Sequence, residues 1–404
     1  MHRIHQRFRR AAVAAALGGF LFFGLGGLPT VSAADTLRPE VAKPLNAAQD
    51  LYRAHKYKDA LAKIAAAAAV PNKTPYETTM VEEMRGATAM AAGETGTATQ
   101  AYETLLSSGQ IKGEDEVRVT AALAGVYFQQ HNYPKAIATA QRYMKAGGAD
   151  PQMRTLLVEA YYESGDYADA TKLLKTSIDA QLRAGHAPDE SELQLLGTCA
   201  QHAKDDAAYR GALEALVAYH PKPSYWQDLF SAIRSKPGYS SRLDVDMYRL
   251  RRVTGSLSTA DDYMEMTQLA IVAGSTAEAK QVVDQGFTSG VLGHDAQAER
   301  EKRLQALAAK RAQGAGPADG ANPVAPIDEG LNLVFAGKAN DGIAMMQSAI
   351  AKGGLDHPDQ AQLHLGVAYY VAGQKARAVQ AFRAVKGNDG SADLARLWLL
   401  VASK

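Results

Sequence analysis

Few side chains in this sequence have the types and spacing that chemistry needs. Cys199 and His202 stand three residues apart, which puts a thiol and an imidazole on one face of a helix. Zinc sites take four ligands, and no second pair stands near these two. Cys199 also neighbours Gly197 and Ala200, so a buried, inert thiol is its expected state. His357 and His364 flank a helix start and read as lone surface or groove histidines. Glu114, Asp115 and Glu116 read as a first helical turn, where the dipole favours acids. The sequence holds no HExxH and no GxxxxGK[ST], and its Gly-x-Gly steps lie outside any strand-to-helix context. The expectation is therefore a chain that is not an enzyme, with no catalytic residue, no metal and no cofactor.

The surrounding composition is that of helices. Hydrophobic residues make up 47% of the chain but aromatics only 7%; alanine supplies much of the difference, and strand signals are nearly absent. That pattern predicts an all-α protein. Residues 1–33 stand apart: four arginines and no acid precede an apolar, Gly-rich run, and Val31-Ser32-Ala33 provides small residues for cleavage. This predicts a signal peptide over 1–33, cleaved after Ala33 or Ala34, and a periplasmic location for the remainder. No later stretch reaches the ~18 consecutive apolar residues of a membrane span, so no integral span is expected after signal removal. The chain has 44 basic and 43 acidic residues, and losing four arginines leaves it slightly acidic, which gives no electrostatic footprint for nucleic acid. Its single cysteine excludes an internal disulfide.

The strongest signal is an internal repeat. Residues 117–144 and 151–178 superpose with a shift of 34, placing Ala124 on Val158, Tyr127 on Tyr161, Tyr133 on Tyr167 and Ala136 on Ala170. Asp150-Pro151 opens the second copy as N-cap and first helical residue, and Gly165-Asp166 ends its first helix. Leu156, Leu157, Ala160 and Tyr161 share one helical face; Tyr167, Ala170, Leu173 and Leu174 form the apolar face of the return helix. This unit resembles the tetratricopeptide repeat, a helix-turn-helix of period 34. The resemblance implies a right-handed superhelix (α-solenoid) of about eight repeats, some degenerate. Its structural positions here include Ala60, Gly86, Ala98, Tyr127, Ala136, Tyr161, Ala170, Gly197, Pro221, Gly366, Tyr369, Ala378 and Phe382. Ala60, Ala98 and Ala136 are spaced by 38, so the loops between early units exceed the minimum. Tyr209 stands where a small residue is expected, which predicts a looser junction. Lys236-Pro237-Gly238 interrupts another unit. The expected layout is a signal peptide (1–33), an N-terminal repeat superhelix (34–312), a Gly/Pro/Ala linker (313–326), and a C-terminal repeat pair with a capping helix (327–404).

The first helix of each such repeat lines a concave groove. The register puts Phe128, Gln129, Glu159, Tyr162, Glu163, Gln194, Thr198 and Gln201 there, with Phe128 and Tyr162 as apolar anchors for a protein or peptide partner. Members of the family that clamp a C-terminal carboxylate use Lys and Asn at positions occupied here by Ala121, Gly125, Thr155 and Glu159, which argues against carboxylate capture. The signal segment and Ala-rich repeats also resemble periplasmic proteins that accompany TonB–ExbB–ExbD outer-membrane uptake systems, which makes TonB, ExbB, ExbD or an outer-membrane receptor candidate partners. A scaffold for cell-envelope assembly or polysaccharide export is the alternative.

Overall fold

The structure is a computed structural model that describes residues 36–294, 296–314 and 325–403. The predicted signal peptide and residues 315–324 of the predicted linker lie outside the described residues. Among those described there are twenty α-helices and no strand. They divide into two compact units, 36–186 with 198–205 and 187–197 with 206–403.

The first unit holds α1 (Pro39–Arg53), α2 (Tyr57–Ala68), α3 (Pro75–Ala92), α4 (Thr95–Ser108), α5 (Glu114–Gln129), α6 (Tyr133–Lys145), α7 (Pro151–Ser164) and α8 (Tyr167–Arg183). Consecutive helices pair as hairpins, and one turn closes each pair. Its central residue is left-handed: His55, Gly93, His131 or Gly165, with φ of 57°, 77°, 57° and 83°. The next residue donates its N–H to the carbonyl five positions back, as in Asn132 to Tyr127 (2.9 Å) and Asp166 to Tyr161 (2.8 Å). This closure satisfies carbonyls that a helix end leaves orphaned. The two histidines adopt a conformation that costs a non-glycine residue about 1 kcal/mol, and each ring shares a hydrogen bond with a tyrosine two residues on, Nδ1 to Oη at 2.7 Å (Tyr57) and 2.8 Å (Tyr133). Helix starts are equally specified. Asp150 accepts from the Gln152 N–H at 2.9 Å, and Thr74 and Glu77 form a reciprocal capping box.

Five residues after each turn the return helix carries Ala60, Ala98, Ala136 or Ala170, all fully buried. These are the close crossings of the hairpins, where a larger side chain would force the helices apart. Seven residues before the turn, Gly86 lies under the buried ring of Tyr102: a Cβ there would come within 2.4 Å of it.

The second unit begins with residues 190–197 of α9 (Glu190–His202), whose last turns belong to the first unit. It continues with α10 (Asp206–Tyr219), α11 (Pro223–Arg234), a 3₁₀ turn (Ser241–Leu243), α12 (Asp244–Val253), α13 (Ala260–Val272), α14 (Thr276–Thr288), α15 (Ala298–Gln313), α16 (Pro326–Phe335), α17 (Ala339–Lys352), α18 (Pro358–Val371), α19 (Lys375–Ala384) and α20 (Ser391–Ala402). Gly274, Gly337 and Gly373 repeat the left-handed turn, followed five residues later by Ala279, Gly342 and Ala378. Gly366 sits against the Phe382 ring as Gly86 does against Tyr102, with a Cβ distance of 2.4 Å. Gly197 differs: a Cβ there would meet nothing closer than 3.8 Å, the nearest atoms being those of Ala212 and Tyr209. The bulky Tyr209 thus holds this crossing more open.

The Lys236-Pro237-Gly238 interruption has a packing role. Lys236 Nζ reaches Asp393 at 2.7 Å, Arg242 reaches Asp389 at 2.6 Å, and the Ser240 N–H donates to the Asp389 carbonyl at 2.9 Å. The irregular segment therefore holds the start of α20. That helix covers the last hairpin with Trp398, whose indole stacks on Phe382 at 5.5 Å between centroids and 10° between planes.

Candidate functional site

Seven of the eight predicted groove residues fall in the first unit, and Gln194 falls in the second. Phe128, Gln129, Tyr162 and Thr198 are half-buried, Glu163 and Gln201 are exposed, and Glu159 is buried. Two of the hairpins build the same ring pair from the residue three before the turn and the residue two after it. Phe128 meets Tyr133 edge-on at 5.7 Å, and Tyr162 meets Tyr167 edge-on at 5.4 Å. Tyr52 and Tyr57 repeat the arrangement at 5.3 Å in the first hairpin. His202 stacks on Tyr167 at 4.5 Å, and the Tyr133 hydroxyl lies 3.5 Å from Glu163 Oε2. Helical hairpin geometry thus sets a ladder of half-exposed aromatic rings along the turn edge of this unit.

Glu159 is the chemically unusual member. It is 9% exposed, and neither carboxylate oxygen has a hydrogen-bond partner. Burial, reinforced by the Glu163 charge one helical turn away, pushes its carboxyl up to about 7. It lies six residues before its turn; the same register on neighbouring hairpins holds Gly125 and Thr198, which offer no positive charge.

In the second unit Gln194 donates to the Tyr225 hydroxyl, which itself donates to Glu190. A larger polar cluster there joins α12, α14 and α18. Arg249 grips Glu278 through Nε (3.0 Å) and Nη2 (2.7 Å), and also donates to Asp246 (2.7 Å) and the Ser275 hydroxyl (3.1 Å). His364 Nε2 stands 3.0 Å from Asp246 Oδ1, and its Nδ1 stands 3.5 Å from Asp328. Although burial favours the neutral ring, the Asp246 charge and hydrogen bond raise His364 to about 9; His364 and Arg249 hold Asp246 down to about 2 against burial. Two anions and two cations therefore balance in a closed interior. His364, expected as a lone surface or groove histidine, is 4% exposed. The correction has a physical cause: α18 is enclosed within the unit, and its polar residue is retained there by oppositely charged partners. The sequence signal for this cluster was available as charges at Asp246, Arg249 and Glu278 on positions of amphipathic helices that otherwise turn inward. His357 is exposed, as expected.

Cys199 is fully buried, and burial pushes its thiol up to about 12, so it matches the inert state expected of it. Among the described residues no group of three or more His, Cys, Asp or Glu is arranged to hold a metal ion, and no helix is long and apolar enough to cross a membrane.

Comparisons with known proteins bear on the hairpins. The tetratricopeptide-repeat family model matches residues 83–153 and 327–393. No curated protein matches the sequence. Among solved structures the chain is similar to the tetratricopeptide-repeat domain of P58(IPK), at 14% identity and a TM-score of 0.24, over 90% of this chain and 97% of that one. It is similar to the Naa15/Naa10 structure bound to HypK-THB, at 14% identity and a TM-score of 0.33, over 88% of this chain and 58% of that one. It is also similar to the pentatricopeptide repeat protein PPR10 from maize, at 14% identity and a TM-score of 0.32, over 96% of this chain and 65% of that one. The likeness to the tetratricopeptide-repeat family lies in these two matched segments, one in each of the two compact units.

Proposed function

We propose that this chain is a non-enzymatic scaffold that holds a protein or peptide segment along the first helices of its repeats. The observation that carries the reading is the repeated ring pair at Phe128–Tyr133 and Tyr162–Tyr167. Half-exposed aromatics at a fixed repeat register supply rigid contact area at low entropic cost, as hot-spot anchors do. Gln129, Gln201 and Glu163 border them with polar, accessible groups, the composition expected of an interface rim. The charged cluster of the second unit supports no enzymatic reading, because its groups neutralise one another out of reach of a substrate.

The composition of residues 1–33 supports a periplasmic site of action, and the general likeness to envelope proteins supports an association with TonB-dependent outer-membrane uptake. Crosslinking of a tagged chain in intact cells, followed by mass spectrometry, tests both. Capture of TonB, ExbB, ExbD or an outer-membrane receptor is the expected result. Capture of envelope-assembly or polysaccharide-export components instead would move the assignment to those systems, and a cytoplasmic tag would remove the export reading.

A further inference from the structure

Among the described residues, buried acids come with partners, apart from one. Glu77 is held by Arg38 and by the Thr74 N–H. Asp246 and Glu278 share Arg249, Asp262 pairs with Arg251, and Asp244 with Arg234. Asp393 pairs with Lys236 and Arg396, and Glu301 accepts the Gly293 N–H at 2.6 Å. Glu159 alone among the buried acids of the described residues has both oxygens shielded and unpaired. Such a group is destabilising relative to one whose oxygens accept hydrogen bonds. Protonation would remove the charge but would supply none of the donors that these two oxygens lack.

The surroundings say what would complete it. Tyr162 and Glu163 follow at the i+3 and i+4 positions of the same helical stripe, and the Tyr162 ring is braced edge-on by Tyr167. Gly125 and Thr198, in the same register on the adjoining hairpins, leave the flanking positions small. Two carboxylates beside aromatic faces favour a positive charge, through ion pairing and attraction to the ring quadrupole. We propose that Glu159 and Glu163, with the Tyr162–Tyr167 ring pair beside them, receive a lysine or arginine side chain of the bound segment. Glu159 turns outward by a rotamer change to meet it. This rests on the peptide-binding reading above and reverses the polarity of carboxylate capture: the chain recognises a cation presented by its partner.

The test is selection of peptides from a random heptamer display library against the purified protein and against Glu159→Gln. The glutamine variant keeps the shape, and circular dichroism is expected to show it melting at or above the parent temperature. Peptides recovered by the parent are expected to share a basic residue at one fixed position. Their affinity should fall about tenfold or more in the variant, and replacing that residue by acetyl-lysine should cost the parent as much while costing the variant little further. Recovered peptides without a shared basic residue, or a basic preference unchanged in Glu159→Gln, would overturn the cation site while leaving peptide binding in place. Recovery of no peptide at all would overturn both.

Discussion

His364 and Asp246, 118 residues apart in the chain, meet at 3.0 Å in the interior of the second unit. The contact ties α18 of a matched repeat to α12, a helix that follows the most irregular segment of the sequence. Arg249 and Glu278 complete the charge balance.

The contact makes stability depend on pH in a definite direction. The folded state raises His364 to about 9 from an ordinary value of 6.5. Its contribution is therefore complete below the unfolded value and is lost as pH rises through about 9. Asp246 is held down to about 2, so its contribution is present above the usual carboxylate range and is lost as pH falls through about 2. The apparent Tm is expected to drop between pH 7 and pH 10, and His364→Gln should flatten that segment of the profile. Asp246→Asn, which leaves Arg249 and His364 with less compensation, should cost about 3–5 kcal/mol in chemical denaturation at pH 7. An unchanged Tm in either variant would mean that the cluster does not hold α12 and α18 together.

The close crossings give a contrast between glycines. Gly366→Ala places a methyl 2.4 Å from the Phe382 ring, and Gly86→Ala does the same against Tyr102; each should destabilise by about 1–3 kcal/mol through overpacking. Gly197→Ala meets only ordinary contacts at 3.8 Å and should stabilise by about 0.5–1 kcal/mol, because glycine is a poor helix residue. Urea denaturation of the three variants checks this, and equal effects at all three positions would contradict the packing described.

Removing the anchors should separate binding from stability. Phe128→Ala combined with Tyr162→Ala deletes one ring from each of two pairs, at a cost on the order of 1 kcal/mol per pair beyond area burial. Far-ultraviolet circular dichroism should remain helical, and recovery of the crosslinked partner should fall several-fold. Full recovery of every partner would remove the ring ladder from the binding surface.

Cys199 provides a probe of local opening. In native protein its thiol should resist a thiol-reactive dye such as dithionitrobenzoate at pH 8, because it is shielded and pushed up to about 12; in urea it should react at once. Rapid labelling under native conditions would show that the end of α9 opens readily.

Local physics carries over from sequence to structure wherever it is periodic. The 34-residue superposition, the Asp150-Pro151 start, the Gly165 stop and the small residues at Ala136 and Ala170 determine hairpins, because caps, turn residues and close crossings act over a few positions. The same register puts Phe128 and Tyr162 at equivalent, half-buried positions of their hairpins, and it marks Tyr209 as the bulky residue at its crossing. The partners of a long-range charge are not encoded locally. His364 looks solitary in the sequence, since Asp246 and Arg249 lie more than a hundred residues away, and only packing of α18 within the second unit decides that it is buried and charged. Glu159 shows the converse: its register was legible, but its lack of any internal partner was not. A missing counter-ion is a property of the whole surrounding volume, and the folded chain alone determines what that volume contains.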